Sequence, residues 1–579
     1  IGVSEVSGAR IGEIVNRKDT TKKITFGGIS SGATVKFSSG AGEVNVESLN
    51  IKITGGTTDY DLASLFSTGG TGGFRMTKFV FKIIDITPTS STWNGTAWSN
   101  ITGPNSTIEA VIEGNYSTAT NGSFNAKKLT INSGSLTTNT NIEIQNEIIN
   151  NAGVAGIVVQ NNGSLTQVNP LAVNTGNITV HKDSNLLKRL DYTLWSSPVF
   201  GSQTLANFSP LTSQSPNRFY IYDKTLGTAG LFASIAPTTP FSKGIGYLIR
   251  MPNENPAIPG TSSAYYLGTS SIVYTGIFTG VPNNGTITLN SLSPDTFYAV
   301  GNPYPSTISA DAFINGNATA GTLYFWRKTN AAAGTAYATY TLLGGAGTNT
   351  GNSGLGNPNG TIAIGQGFIV KTGPAATTLN FTNTMRTSGT GSTQFFKTKK
   401  LAVKDRIWLN LSNATGVISQ TLIGYMDGAT QGVDAGIDGK YINDSAIALT
   451  SNINNEEFTI QGRPKFDARD VVALNFKTDL DGEYTIALDH FDGVFANGQD
   501  VYLVDNKSGI ETDLKTGAYT FTATAGTDNS RFSLKYQKTL KVDAPTFNEN
   551  NVRIFKNNGT LSVNSQIVAI DNIKVYDIQ

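Results

Sequence analysis

The chain has 579 residues with 42 Lys and Arg against 41 Asp and Glu, and a net charge of +1 gives it no field to draw nucleic acid or anionic lipid. Charged residues are only 14% and glycines number 63, a composition of turns and strands and not of solvated helices. Cysteine is absent, which excludes disulfides, thiolate metal sites and cysteine nucleophiles, and no apolar run reaches the roughly 18 residues of a transmembrane segment.

Taken from the N-terminus, residues 1–88 carry short strand patterns such as "KKITFGG" and "FRMTKFVFKII", the latter alternating Phe79, Phe81 and Ile83 with Val80 and Lys82, and predict a small β domain. "TPTSSTWNGTAWSNITGPN" breaks the pattern. It reads either as a linker or, with Trp93 and Trp98 so close, as a packed cap or the first turn of the next domain. From about Thr107 to Thr179, "KKLTINSGSLT" and "GIVVQNNGSLT" place "GSL" twice, 29 residues apart, as one coil of a parallel β-solenoid would. That reading sets Leu129 and Ile131 beside Val158 and puts Asn at left-handed corners; unrelated hairpins are the alternative.

Between residues 191 and 395 a theme occurs twice. "WSSPV", "RFYIYDK" and "GIGYLIR" are followed in the same order by "GNPYPS", "GTLYFWRK" and "GQGFIVK", which predicts a duplicated β unit. The glycine pairs lack a following Lys-Ser/Thr and a helix start, so close backbone approach explains them better than a phosphate loop. Residues 396–540 hold short runs such as "RIWLNL", "VVALNF", "EYTIAL" and "RFSLKY" and predict an antiparallel β-sandwich. Residues 541–579 form a last segment. The whole is all-β and multidomain, without the helical layer of a Rossmann or barrel fold.

Chemistry is sparse. His181 and His490 are the two histidines, and His490 lies between Asp489 and Asp492 without any nucleophile or metal-helix motif. A strand-end histidine is the plain reading. Lys127, Lys128, Glu143 and Glu147 are too ordinary a set to make a polysaccharide-cleaving site. Asp427, Asp434 and Asp438 in a Gly-rich loop are hard oxygen donors for calcium, although their spacing departs from an EF-hand and a charged turn explains the same letters. Trp93, Trp98, Tyr304 and Trp326 are candidates for stacking on sugars, against a core role for large aromatics in strands. No catalytic residue and no resident cofactor is assigned.

"STWNGTAWSNITGPNSTIEAVIEGNYSTATNGSFNAKKLTINSGSLT", "LDYTLWSSPVFG", "YAVGNPYPSTISADAFINGNATAGTLYFW" and "NGTIAIGQGFIVKT" resemble large cell-surface proteins of flavobacteria and related Bacteroidetes. The last segment is similar to the type C sorting domain of type IX secretion cargo. "VRIFKNNGTLSVNS" matches its opening hairpin through Val552, Ile554 and Phe555, and "AIDNIKVYDIQ" matches its central strand through Ile573, Val575, Tyr576 and Asp577. In that family the strand continues into Gly-Arg and further strands, which implies polypeptide beyond Gln579.

The resemblance implies export by the type IX translocon, a partnership with its outer-membrane shuttle protein, and display at the cell surface or release from it. It also implies a structural or adhesive role with a surface polysaccharide or other glycan as ligand, and O-glycans at Asp-Ser/Thr sites, here Thr20 and Ser445. The alternatives are an exported carbohydrate-binding or carbohydrate-active protein, or an accessory part of surface motility or of the secretion apparatus.

Overall fold

The computed structural model describes residues 13–16, 19–25, 89–100, 102–227, 230–256, 263–317, 320–327, 336–347, 356–375, 378–388, 404–416, 418–443, 445–539, 552–565 and 569–576. Strands dominate, as the sequence predicts. Of the expected small domain at 1–88, only an antiparallel pair of strands, Glu13–Asn16 with Asp19–Thr25, lies among them; Phe79, Phe81 and Ile83 lie outside. The chain divides into two compact units, residues 1–319 with 360–397, and residues 320–359 with 398–579.

The first unit opens with a parallel β-solenoid of three sheets. Ser90–Trp93, Glu109–Ile112, Leu129–Ile131 and Ile148–Asn150 pair in parallel on one face. Tyr116–Ser117, Leu136–Thr138, Ile157–Val159 and Ile178–Leu187 form the second, and Asn125–Ala126, Asn141–Ile144 and Ser164–Gln167 the third. Each strand is so short that its apolar residues are buried only by stacking on the next coil. Ala110, Leu129 and Ile148 stand in register 19 residues apart and are fully buried. Tyr116, Leu136 and Ile157 make a second column.

The 29-residue recurrence is therefore not the coil. Leu136 of the first "GSL" lies in the second sheet and Leu165 of the other lies in the third, because three short strands and their corners complete a coil sooner. Leu129 accordingly stacks on Ile148, while Val158 pairs with Thr137 and Thr179. Asparagines do hold the corners, by side-chain bonds and not by left-handed backbone. Asn151 Nδ2 reaches Asn132 Oδ1 at 3.3 Å, Asn161 Oδ1 accepts from Asp183 N at 2.9 Å, and the left-handed position of the first corner belongs to Gly134 at φ 68°.

Residues 89–100 are packed and not a linker, and they contribute the first described strand of the solenoid. Ser90–Trp93 is the edge strand of its sheet among the described residues, and Trp93, Trp98, Tyr116 and Phe124 close into an aromatic cluster with ring centroids 4.9 to 5.5 Å apart. Trp93 Nε1 donates to Asn115 O at 3.0 Å, so the indole is buried with its polar atom satisfied. At the other end, Ile178–Leu187 also pairs antiparallel with Ile272–Pro282, carrying the second solenoid sheet into the duplicated region.

Both halves of that region are built alike. The strand before each Pro turn pairs with the glycine-led strand, Tyr192–Trp195 with Tyr247–Arg250 and Phe297–Gly301 with Gly367–Lys371. Each aromatic strand pairs with the next one, Phe219–Asp223 with Leu231–Ser234 and Leu323–Trp326 with Tyr337–Thr341. Within the first unit the glycine turns are exchanged. Gly301 N donates to Gly244 O and Gly246 N to Ala299 O, while Ser196 N donates to Gly365 O and Trp195 pairs with Gln366. Gly244 and Gly365 share the left-handed region at φ 73° and 74°. A Cβ on Gly246 would meet Val300 O at 2.8 Å and one on Gly367 would meet Leu194 Cγ at 2.7 Å, so close approach is indeed their role.

In the second unit the strands expected to form a sandwich are present and mostly antiparallel. They pair in one continuous series from Ile510–Asp513 to Tyr519–Ala523 and enclose a core of Ile407, Leu409, Leu449, Leu474, Phe476 and their neighbours. Every pairing in it is antiparallel except Ile418–Tyr425 with Glu456–Arg463. Residues 320–359, which the sequence grouped with 191–395, cluster with this unit. Trp408 Nε1 donates to Gly345 O at 2.8 Å, Thr341 Oγ1 to Ile437 O at 2.7 Å, and Leu343 and Ala346 complete a small core with Trp408, Leu422 and Ile460.

The stacked columns give a direct expectation. Leu129→Ala opens a cavity in the middle coil and costs about 2–5 kcal/mol, whereas Leu171→Ala, at a residue 86% exposed on the same solenoid, stays within about 0.5 kcal/mol. Hydrogen exchange of the solenoid amides under mild denaturant checks both.

Candidate functional site

The Gly-rich loop from Asp427 to Asp438 brings two of its three carboxylates together. Asp438 Oδ2 accepts from Asp434 N at 2.6 Å and its Oδ1 from Gly462 N at 2.7 Å, while Asp434 accepts from Thr430 N at 2.5 Å and Thr430 Oγ1 at 3.0 Å. Asp427 is exposed and takes no part. Asp434 and Asp438 are thus engaged by N–H groups and the Thr430 hydroxyl, and the bond from Gly462 ties the loop to the sheet. No group of three or more His, Asp or Glu among the described residues is placed to hold a metal ion. Burial pushes the Asp438 carboxyl up to about 6, against the two N–H bonds, which favour its charged form.

His490 occupies a more structured setting than a plain strand end. Trp408 is registered opposite His490 and Leu409 opposite Leu488, so Asp489 is the extra residue of a β-bulge. The bulge brings consecutive side chains together. His490 Nδ1 and Asp489 Oδ2 are 2.6 Å apart, and the imidazole stacks on the Trp408 indole at 3.9 Å. Asp489 also accepts from Gln420 Nε2 at 3.0 Å. The bond to His490 holds the Asp489 carboxyl below its ordinary value. This is the orienting half of an acid–base arrangement. No hydroxyl bonds to His490 among the described residues, so a nucleophile to activate is missing from it. His181 is half-buried in a solenoid strand, and burial holds its imidazole below the usual value, with Asp183 opposing.

The aromatic candidates are packed. Trp93 and Trp98 belong to the aromatic cluster, Tyr304 is fully buried with its hydroxyl on Gly285 O at 2.7 Å, and Trp326 lies edge-on to Tyr337 at 5.4 Å. Trp93 and Tyr304 are buried, and Trp98 and Trp326 are half-buried against neighbouring rings. Lys128 and Glu147 pair at 3.1 Å between adjacent coils, and Glu143 accepts from Gln145 at 3.1 Å.

An open groove of about 620 Å³ lies in the first unit, with Gln203, Asn207, Tyr274, Thr275, Ile277 and Thr279 in its wall. No charged side chain lines it. Gln203 already bridges Ile277 O and Thr279 N at 2.8 and 3.0 Å, and Asn207 forms a capping box with Thr204. The groove accordingly offers shape and neutral polarity without acid–base chemistry.

Val552–Asn557 and Thr560–Ser565 form the expected hairpin around Asn558 and Gly559, whose φ of 42° and 86° suit a two-residue turn of the I′ kind. Ile554 and Phe555 are 67% and 48% exposed on it. The expected closing strand is not formed: residues 569–576 have no regular structure, and Ile573, Val575 and Tyr576 are exposed. A strand persists through pairing, and none pairs with this stretch among the described residues. Asp577 lies outside them. Of the two O-glycan positions, Thr20 lies in the Asp19–Thr25 strand. Ser445 is 8% exposed with its backbone N donating to Tyr441 Oη, a position that does not present its hydroxyl for a bulky glycan.

Residues 87–536 match the model of a protein family described as a domain of unknown function, DUF8693. No curated protein and no solved structure matches the chain.

Asp438 has a folded value near 6 and an unfolded value near 4, so the folded state holds its proton more tightly and stability falls as pH rises through that window. Thermal melts of the wild type between pH 4 and about 6.5 are expected to show this decline, and Asp438→Asn to flatten it. A parallel slope in both would leave the decline to other groups.

Proposed function

The chain belongs to the DUF8693 family, and for this member we propose a protein exported by the type IX secretion system and displayed at or released from the cell surface, where it acts by binding and not by catalysis. The observation that carries the reading is the hairpin Val552–Ser565, which closes on an Asn-Gly turn and leaves Ile554, Phe555 and Leu561 exposed. A two-stranded hairpin with uncovered apolar residues is marginal by itself. Such an element suits a sorting module that gains its remaining contacts from the translocon or its shuttle protein.

The rest of the proposal follows from the kind of structure upstream. A solenoid stores its stability in stacked coils and resists local opening, which suits a load-bearing or adhesive part exposed to the medium. The Asn- and Thr-rich corners provide uncharged polar surface for contact with a glycan. The Asp489–His490 pair lacks a reacting partner, and we assign it to holding the bulged strand on Trp408.

Deletion of residues 542–579 in the native host is expected to leave the truncated product inside the cell, with loss of surface signal in protease-shaving and antibody labelling of whole cells. Undiminished display of the truncated protein would overturn the sorting assignment.

A further inference from the structure

The sheet formed by Tyr192–Trp195, Tyr247–Arg250, Phe219–Asp223 and Leu231–Ser234 carries an unusual row of side chains. Tyr192 is registered opposite Arg250, and Arg250 N donates to Arg218 O at 3.2 Å as the next strand begins. Residues opposite one another on antiparallel strands project to the same face, and so does the residue two further along. Tyr192, Arg250, Arg218 and Tyr220 therefore share one face. Arg218 Nη1 donates to Tyr220 Oη at 3.2 Å, and the rings of Tyr192 and Tyr220 meet edge to face at 5.8 Å.

Like charges placed directly opposite each other destabilise a sheet unless something neutralises them. Elsewhere three buried guanidiniums have a carboxylate, Asp470 for Arg463 at 2.5 Å, Asp505 for Arg531 at 3.0 Å, and Asp492 for Arg406, while Arg327 donates to Gly356 O at 2.7 Å. Arg386 has none, yet three acceptors satisfy it, Ser306 Oγ, Asn284 Oδ1 and Leu165 O. Arg218 and Arg250 differ in lying side by side across paired strands. Neither forms an ion pair among the described residues; Arg250 Nη2 donates to the neutral Asn253 Oδ1 at 2.6 Å, and the Nε–H of both has no acceptor. Arg250 is only 7% exposed, so water compensates its charge poorly. Burial lowers the Arg250 pKa, and Arg189 adds a third positive charge nearby.

We propose that this face is a binding subsite for an anionic saccharide, with the carboxylate or sulfate of the sugar held between Arg218 and Arg250. Guanidinium groups recognise such oxyanions by paired N–H bonds, and the half-buried rings of Tyr192 and Tyr220 offer apolar walls with polar tips for the sugar ring beside the charge. A net charge of +1 gives the protein no general attraction for polyanions, so binding here would be local. The subsite stands apart from the export reading, because it is tested on purified protein whatever its address in the cell.

Isothermal titration of the full chain with oligogalacturonate, a heparin-derived hexasaccharide, neutral dextran and sodium sulfate tests it. At least one acidic oligosaccharide is expected to bind with an affinity that falls as salt is raised, and Arg218→Gln to weaken it by about tenfold or more. Arg218 is the better target because it is less buried than Arg250, and an unchanged melting temperature would show that the variant is folded. Arg218→Lys, which keeps the charge without the fork, is expected to recover part of the affinity. Binding of neither acidic oligosaccharide, equal binding of dextran, unaltered binding by Arg218→Gln, or sulfate alone binding as tightly as the oligosaccharide would each overturn the proposal.

Discussion

Parallel pairing between successive coils is the interaction from which the first unit is built. A strand of three residues has two inward side chains at most and cannot bury them alone; stacked at intervals of about 20 residues, the same strands share columns such as Ala110, Leu129 and Ile148. The requirement propagates in both directions. At the first described coil Trp93, Trp98, Tyr116 and Phe124 supply bulk, with no further coil stacked on them among the described residues. At the inner end the second sheet cannot stop at a raw edge, and Ile178–Leu187 passes from parallel pairing with Ile157–Val159 to antiparallel pairing with Ile272–Pro282.

The duplicated region answers a different constraint. Two similar β elements with glycine-led strands can approach closely only where no Cβ intervenes, and the contacts are reciprocal: Gly244 and Gly246 meet residues 299–301, while Gly365 and Gln366 meet Ser196 and Trp195. Left-handed backbone at Gly244 and Gly365 turns the chain at both crossings. An exchange of this sort fixes the register of each half against the other. It also explains why glycine recurs at these places without any phosphate to bind.

Much of this was legible because strand alternation, glycine-aromatic pairs and paired tryptophans are local signals. All-β architecture, the packed tryptophans, the duplicated unit and the Asn-Gly hairpin follow from neighbouring letters. The coil length did not. "GSL" repeats in two sheets of a three-sided coil, and only the hydrogen-bond register reveals that Leu136 and Leu165 belong to different faces. Carboxylates were hard to read for a related reason. Asp434 and Asp438 look like hard-ion donors until the fold aims N–H groups of Thr430, Asp434 and Gly462 at them. Equally, adjacency of Asp489 and His490 says nothing until a bulge brings both side chains together, and the arginines of "RFYIYDK" and "GIGYLIR" become neighbours only through the pairing of their strands.

Without cysteine, the units have no covalent cross-links, and arginine takes over part of the work of joining distant segments. Arg406 reaches both Asp492 and Leu343 O, Arg531 reaches Asp505 and Thr522 O, and Arg386 reaches Leu165 O, more than 200 residues away in sequence. Such buried groups add little net stability, because desolvating the charge offsets much of the attraction, but a misplaced strand would strand the guanidinium without acceptors. Their contribution is to register. Stranding has a cost only when acceptors are otherwise complete, and that is the case at Arg406, Arg531 and Arg386. At the row of Arg218 and Arg250 neither guanidinium has a carboxylate among the described residues, and the oxyanion proposed above would supply the negative charge that Asp492 and Asp505 supply to Arg406 and Arg531.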